Sequence, residues 1–309
     1  MPERWDCLIV GAGPAGLSAA LYMARYHRKV LVVHDGKARA LRIPDTHNAP
    51  GFPDGIAGPD LIQRMTRHAC EYGALMMQAE VVRAERNADG FVLGTSEGES
   101  LSGDCLILAT GLCLNELPLP QDVHERAIRA NVLRYCPVCD AHEHTGRRIA
   151  VIGCDRSGAA EALFLRQYTR DLTLIPMRMA ELTGSQREEM ATTGIRVVDR
   201  PVSRLEPQDT EFHVYVEGEA SPLVFDVVYP ALGCRQRTEL AVMLGLPLAE
   251  DGSTDVRTPM GTSVPGLYCA GDIVEGLDQI SVAMGHGAIA ATRAHNWLRE
   301  QRGHTLQND

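Results

Sequence analysis

Residues 7–26, CLIVGAGPAGLSAALYMARY, constrain the architecture more than any other stretch. The four apolar residues Cys7–Val10 read as a central parallel strand, buried on both faces and so free of polar alternation. Gly11, Gly13 and Gly16 follow in the spacing Gly-x-Gly-x-x-Gly, with Pro14 and Ala15 inside the turn and a helix expected over Ala15–Tyr26. The first glycine permits the tight turn, the second lets the backbone approach a pyrophosphate, and the third lets helix pack close on strand. Amides at the helix start would then face the phosphates, with the helix dipole behind them. A second apolar strand, Val30–Val33, ends in His34-Asp35. A ribose-binding acid belongs there, about 20 residues after the turn. Asp35 is the candidate, and His34 occupies the alternative register.

The same grammar recurs in RRIAVIGCDRSGAAEALFLRQY: a strand Ile149–Ile152, then Gly153, then a helix expected from about Gly158. Two such units in a chain of 309 residues imply an α/β protein with two Rossmann-like, three-layer (ββα) dinucleotide-binding domains. In the second turn, however, Asp155 stands two residues after Gly153, where a glycine belongs. A side chain there blocks close backbone approach. Its carboxylate also sets a negative charge beside a pyrophosphate, a repulsion of roughly 4 kcal/mol for unit charges about 4 Å apart at an effective dielectric near 20. The next strand opens the stretch LTLIPMRMAEL (172–182), whose one arginine, Arg178, stands just past the strand's end. The expectation is a retained frame with a degraded nucleotide site, and no productive use of NADPH.

Two more apolar strands end in short polar signals. DCLILATG finishes in Thr110-Gly111, and Leu267–Ala270 leads into Gly271-Asp272, ahead of a long helix starting near Gln279-Ile280. A carboxylate does not attract a diphosphate, but it can accept a hydrogen bond from a flavin ribityl hydroxyl. A helix start can stabilise negative charge on a reduced flavin ring. Between the two units lies Cys136-Pro-Val-Cys139-Asp140. Cysteines two residues apart can close a readily exchanged disulfide. Pro137 suits the first position of a short helix, whose start favours a thiolate. Asp140 can serve as proton donor or acceptor for a nearby thiol. Cys136, Cys139, His142 and His144 could also be read as zinc ligands, but structural zinc usually takes ligands from two separated knuckles. No metal site is therefore assigned, and no catalytic role is given to the two histidines. The other seven cysteines read mostly as small buried apolar residues.

In the order Gly11–Gly16, NAPGFPDGIAGPDL (48–61), ATG (109–111), CPVCD (136–140) and AGD…DQI (270–280), the chain resembles the low-molecular-weight, bacterial-type thioredoxin reductases along nearly its whole length. The resemblance implies an FAD-dependent disulfide oxidoreductase. It implies a discontinuous FAD domain, residues 1–114 plus 242–309, with a second dinucleotide-type domain, 115–241, inserted and carrying the dithiol. Carried over by position, Gly11, Gly13, Pro14, Ala15, Gly16, His34, Asp35, Asn48, Val81, Thr110, Gly111, Gly271, Asp272, Gln279 and Ile280 would bind FAD. Cys139 would face the flavin, Cys136 would exchange with substrate, and Asp140 would protonate the leaving thiolate. Asp278 departs from the pattern, since many relatives carry arginine there. The degenerate second turn brings the chain nearer to members that work without pyridine nucleotide, for which ferredoxin is an electron donor. Some related proteins hold a second flavin, which stays open here.

A thioredoxin-like protein is the expected partner. Two other functions remain open: a dithiol oxidase of the gliotoxin or holomycin type, acting on a small dithiol with oxygen, and a redox-sensing flavoprotein. A net charge of −10 argues against a nucleic-acid partner. No apolar run approaches the roughly 18–20 residues that span a bilayer, and the first residues lack a signal-peptide pattern. A cytoplasmic homodimer without membrane attachment is the expectation, with a polar tail fraying over residues 301–309.

Overall fold

The computed structural model describes residues 3–256 and 260–304. The end of the polar tail, residues 305–309, lies outside them, and Gln301 closes a helix. The chain divides into two compact units, Met1–Ile43 with Ile56–Cys113 and Arg235–Asp309, and Pro44–Gly55 with Leu114–Cys234. The return to the first unit thus comes at Arg235, earlier than residue 242. There the Arg237 amide donates to the Gly111 carbonyl at 2.8 Å and the Thr110 hydroxyl donates to the Arg237 carbonyl at 2.6 Å. Segment 44–55 groups with the second unit, where the Asn48 side-chain amide donates to the Val138 carbonyl at 3.4 Å.

In the first unit, strands Leu75–Gln78, Val30–His34, Arg4–Val10 and Ser100–Leu108 run parallel in that order. Leu267–Cys269 pairs with the end of Ser100–Leu108, and the antiparallel strands Gly90–Thr95 and Val81–Asn87 continue from its beginning. Val10 pairs with both Val33 and Leu108, and Leu108 pairs with Cys269. Four strand ends therefore reach one carboxyl edge together, where open α/β sheets hold their ligands. The helices Pro14–Arg25 and Ile280–Gln301 lie against each other on small residues, with Ala19, Ala20, Ala290, Ala291 and Ala294 all buried. Ser18 donates across this seam to the Met284 carbonyl at 2.8 Å.

The second unit repeats the scheme. Strands Arg196–Val197, Leu172–Ile175, Ile149–Ile152 and Val227–Pro230 form a parallel sheet in that order, with Ile152 opposite both Ile175 and Pro230. A three-stranded antiparallel sheet, Val202–Pro207, Phe212–Val216 and Leu223–Phe225, adds to it. The architecture is α/β with two Rossmann-like units, as expected. The helix foreseen from Gly158 begins two residues earlier, at Arg156, because Asp155 caps it. Of the seven cysteines other than Cys136 and Cys139, Cys7, Cys105, Cys154 and Cys269 are buried, whereas Cys70 and Cys234 are exposed and Cys113 is half-buried. Among the described residues, no helix is long and apolar enough to cross a membrane.

Candidate active site

A cavity of about 790 Å³ opens at the carboxyl edge of the first sheet. Its walls include Gly11, Gly13, Pro14, Ala15, His34, Asp35, Val81, Thr110, Gly111, Gly271, Asp272, Gln279 and Ile280. Gly16 lies behind this wall: a Cβ there would run into the Gly11 carbonyl oxygen, so its role is the close seat of helix on strand. Asn48 is not in the cavity wall. Its side chain is engaged by Thr46, which donates to Oδ1 at 2.9 Å, and by the Val138 carbonyl.

The two glycine turns can be compared atom by atom. A Cβ on Gly11 would overlap the Ala109 carbonyl oxygen, and one on Gly153 would overlap that of Ala231. A Cβ on Gly16 would overlap the Gly11 carbonyl, and one on Gly158 that of Gly153. The frames are equivalent, and they differ at the middle position. Nothing lies within 4 Å of a Cβ built on Gly13, and no side chain caps the helix that it begins. At the corresponding place, Asp155 Oδ1 accepts the Gly158 N–H at 2.8 Å. The first helix start keeps free amides for an anion, while the second has been closed by its own carboxylate.

The residues of the first cavity fit an FAD dinucleotide: an uncapped helix start behind a bare glycine, an acid at the end of the second strand, and a second helix start at Gln279 with no side-chain cap. Bound there, FAD would supply two-electron chemistry. Two cations that sequence reasoning missed organise the acids. Arg237 donates to Asp35 Oδ2 at 3.1 Å and to the Cys113 sulfur at 3.1 Å. Lys37 N–H donates to the other Asp35 oxygen at 2.9 Å. Arg39 donates to Asp272 Oδ2 at 2.9 Å and to the Asp278 carbonyl at 3.2 Å. The position where an arginine was missing thus has one beside it, delivered by the short 3-10 turn Arg39–Arg42, distant in sequence. Burial and the nearby Asp272 charge push the Asp278 carboxyl up to about 6. Burial lowers His34.

In the second unit Cys136 and Cys139 are joined as a disulfide. Cys136 precedes a single helical turn, Pro137–Asp140, with Pro137 at its start. One turn carries little macrodipole, so the helical help to a thiolate is small. Asp140 is buried, forms an ion pair with Arg134, and accepts the Tyr229 hydroxyl at 2.6 Å. Burial, with the Asp140 charge second, pushes the Tyr229 phenol far up, so it stays a donor. The His144 ring stands edge-on to Tyr229 at 6.2 Å, and burial lowers its basicity. Arg134 and Tyr229 were absent from the sequence reading. Arg134 lies next to the motif and could have been flagged, whereas Tyr229, 89 residues from Asp140, gave no signal.

Fold, cavity and dithiol together define a flavin-dependent disulfide oxidoreductase. The chain matches the pyridine nucleotide-disulphide oxidoreductase family over residues 5–287. It is 31% identical to a thioredoxin reductase of Mycolicibacterium smegmatis over 96% of this chain and 97% of that one. The structure of HlmI superposes with a TM-score of 0.89 at 28% identity, covering 98% of this chain and 95% of the other. Thioredoxin reductase from Streptococcus pyogenes gives 0.86 at 26%, over 96% and 99%. The chain belongs to the pyridine nucleotide-disulphide oxidoreductase family, as an FAD-dependent, thioredoxin reductase-like enzyme.

Proposed function

We propose that this enzyme passes electrons between FAD and the Cys136–Cys139 pair, reduces a thioredoxin-like protein, and does so without NADPH. One observation carries the last point: the Asp155 carboxylate accepts the Gly158 amide at 2.8 Å. That amide sits at the helix start where a pyrophosphate would bind. A nucleotide would have to displace an internal cap and accept a carboxylate beside its phosphates. The first unit, with Gly13 bare and its helix uncapped, supports FAD at the residues lining its cavity. Cys139 is assigned to the flavin side and Cys136 to exchange with substrate. Asp140 handles the proton of the thiol that leaves or enters. Ferredoxin fits the donor role as a low-potential one-electron carrier.

The test is anaerobic. Flavin absorbance is followed after addition of NADPH, NADH, reduced ferredoxin or dithionite. Bleaching by the low-potential donors alone is expected, and rapid bleaching by NADPH refutes the proposal. A second reading draws on the same cap. With the nucleotide entrance closed, electrons could enter from a small dithiol at Cys136–Cys139 and leave to oxygen. Peroxide formation with small dithiols, and no transfer to thioredoxin, would select it.

A further inference from the structure

We infer that Arg134, Asp140 and Tyr229 form an outer clasp around the Cys136–Cys139 loop, keeping the two sulfurs together after their bond opens and so setting the dithiol–disulfide equilibrium. The inference rests on reading Cys136–Cys139 as an exchanging pair.

Arg134 lies two residues before Cys136 and Asp140 directly follows Cys139, so their ion pair closes a larger ring around the disulfide. Both are only 8% exposed. The ends of that ring are anchored to one strand. The Arg134 backbone N–H donates to the Val228 carbonyl at 3.0 Å, and the next residue, Tyr229, donates its hydroxyl to Asp140 Oδ1 at 2.6 Å. Arg134 Nη1 also donates to Asn131 Oδ1 at 3.1 Å. Tyr229 itself is fully buried in the Val227–Pro230 strand.

A buried ion pair is a poor device for stability, because desolvation offsets its attraction, and well-packed apolar residues commonly do as well. Its value here is geometric. Reduction adds two electrons and two protons, breaks the S–S bond and yields two thiols. The Cys139 N–H donates to the Cys136 carbonyl at 2.9 Å. With that one backbone bond as the remaining tie, the loop ends could separate more freely, and reforming the S–S bond would carry the entropy of bringing them back. Arg134 and Tyr229 act as positioning residues: they hold Asp140, and through it the Cys139 end, against the strand that also holds the Cys136 end. The clasp favours the disulfide over the dithiol and speeds closure of a mixed disulfide at Cys136 by Cys139.

The holoprotein is equilibrated anaerobically with mixtures of reduced and oxidised glutathione, quenched by alkylation, and the Cys136–Cys139 peptide is quantified by mass. Two glutathione thiols become one glutathione disulfide as the protein disulfide becomes a dithiol, so the reaction balances. Two variants are compared: Tyr229→Phe, and the double change Arg134→Met with Asp140→Asn, which removes both charges and leaves neither buried alone. The double variant is expected to shift the equilibrium about tenfold toward dithiol, roughly 30 mV for a two-electron couple. Tyr229→Phe should shift it about threefold the same way. Equilibria within about twofold of the parent in folded, flavin-containing variants overturn the inference. If the double variant fails to fold, Tyr229→Phe, which removes a single oxygen, decides alone. A parent protein that never exchanges with glutathione overturns the exchanging-pair reading itself.

Discussion

Replacing Gly13 by aspartate would write into the first turn what the second already contains. Gly13 has φ −79° and ψ −178°, and Asp155 has φ −121° and ψ −168°, both extended conformations open to any side chain. Nothing stands within 4 Å of the Cβ that Gly13 lacks. The substitution is therefore expected to fold normally and to cap the Pro14–Arg25 helix, a change of a few tenths of a kcal/mol. Its effect falls on the ligand. A carboxylate about 4 Å from a phosphate at an effective dielectric near 20 opposes binding by roughly 4 kcal/mol, on the order of three decades in affinity. Apoprotein would be titrated with FAD by fluorescence quenching, with circular dichroism and thermal unfolding as controls. Gly13→Asn, which caps without charge, separates shape from electrostatics and should lose much less affinity. A folded Gly13→Asp protein that binds FAD within tenfold of the parent refutes the reasoning, and with it the explanation of the closed second turn.

The reverse change, Asp155→Gly, frees the Gly158 amide. It should cost only a few tenths of a kcal/mol in chemical denaturation and raise NADPH affinity tenfold or more in calorimetry; no gain would mean that Asp155 is not what excludes the nucleotide. Cys139→Ser should abolish disulfide reduction in a turnover assay while the protein keeps its flavin, and retained turnover would remove the dithiol from the mechanism. Glu161 gives a pH prediction. Its Oε2 is buried without a partner, and burial, with the Asp155 charge second, pushes its carboxyl up to about 7. A carboxyl raised in the folded state imposes no penalty below its unfolded value near 4.5; the penalty grows as pH rises and is complete above about 7. Glu161→Gln should therefore be more stable than the parent at pH 8, by up to a few kcal/mol, and lose that advantage by pH 4.5. Equal melting-temperature differences at both pH values would contradict this.

What could be read from sequence was local. The apolar run Cys7–Val10, the Gly11–Gly16 spacing and their echo at Ile149–Gly158 specify strand, turn and helix through contacts a few residues apart, and two such units specify the fold class. Cys136 and Cys139 are likewise near neighbours, so their pairing lies within reach of spacing alone. Asp155 was readable too, as a carboxylate where a glycine belongs, although its positive role as a helix cap required the hydrogen bond to Gly158. Register across strands brought Thr110, Gly271 and Asp35 to one cavity, and only the folded sheet shows it. The charges around the cofactor site came from further away still. Arg237 reaches Asp35 across 202 positions and Arg39 reaches Asp272 across 233, separations at which no local pattern constrains a side chain. The same holds for Tyr229 on Asp140. Backbone propensity and turn chemistry are properties of short segments, so the sequence determined the two frames and the dithiol. Which cation compensates which carboxylate depends on loops and strand ends meeting at one edge, and the tertiary structure alone decided that.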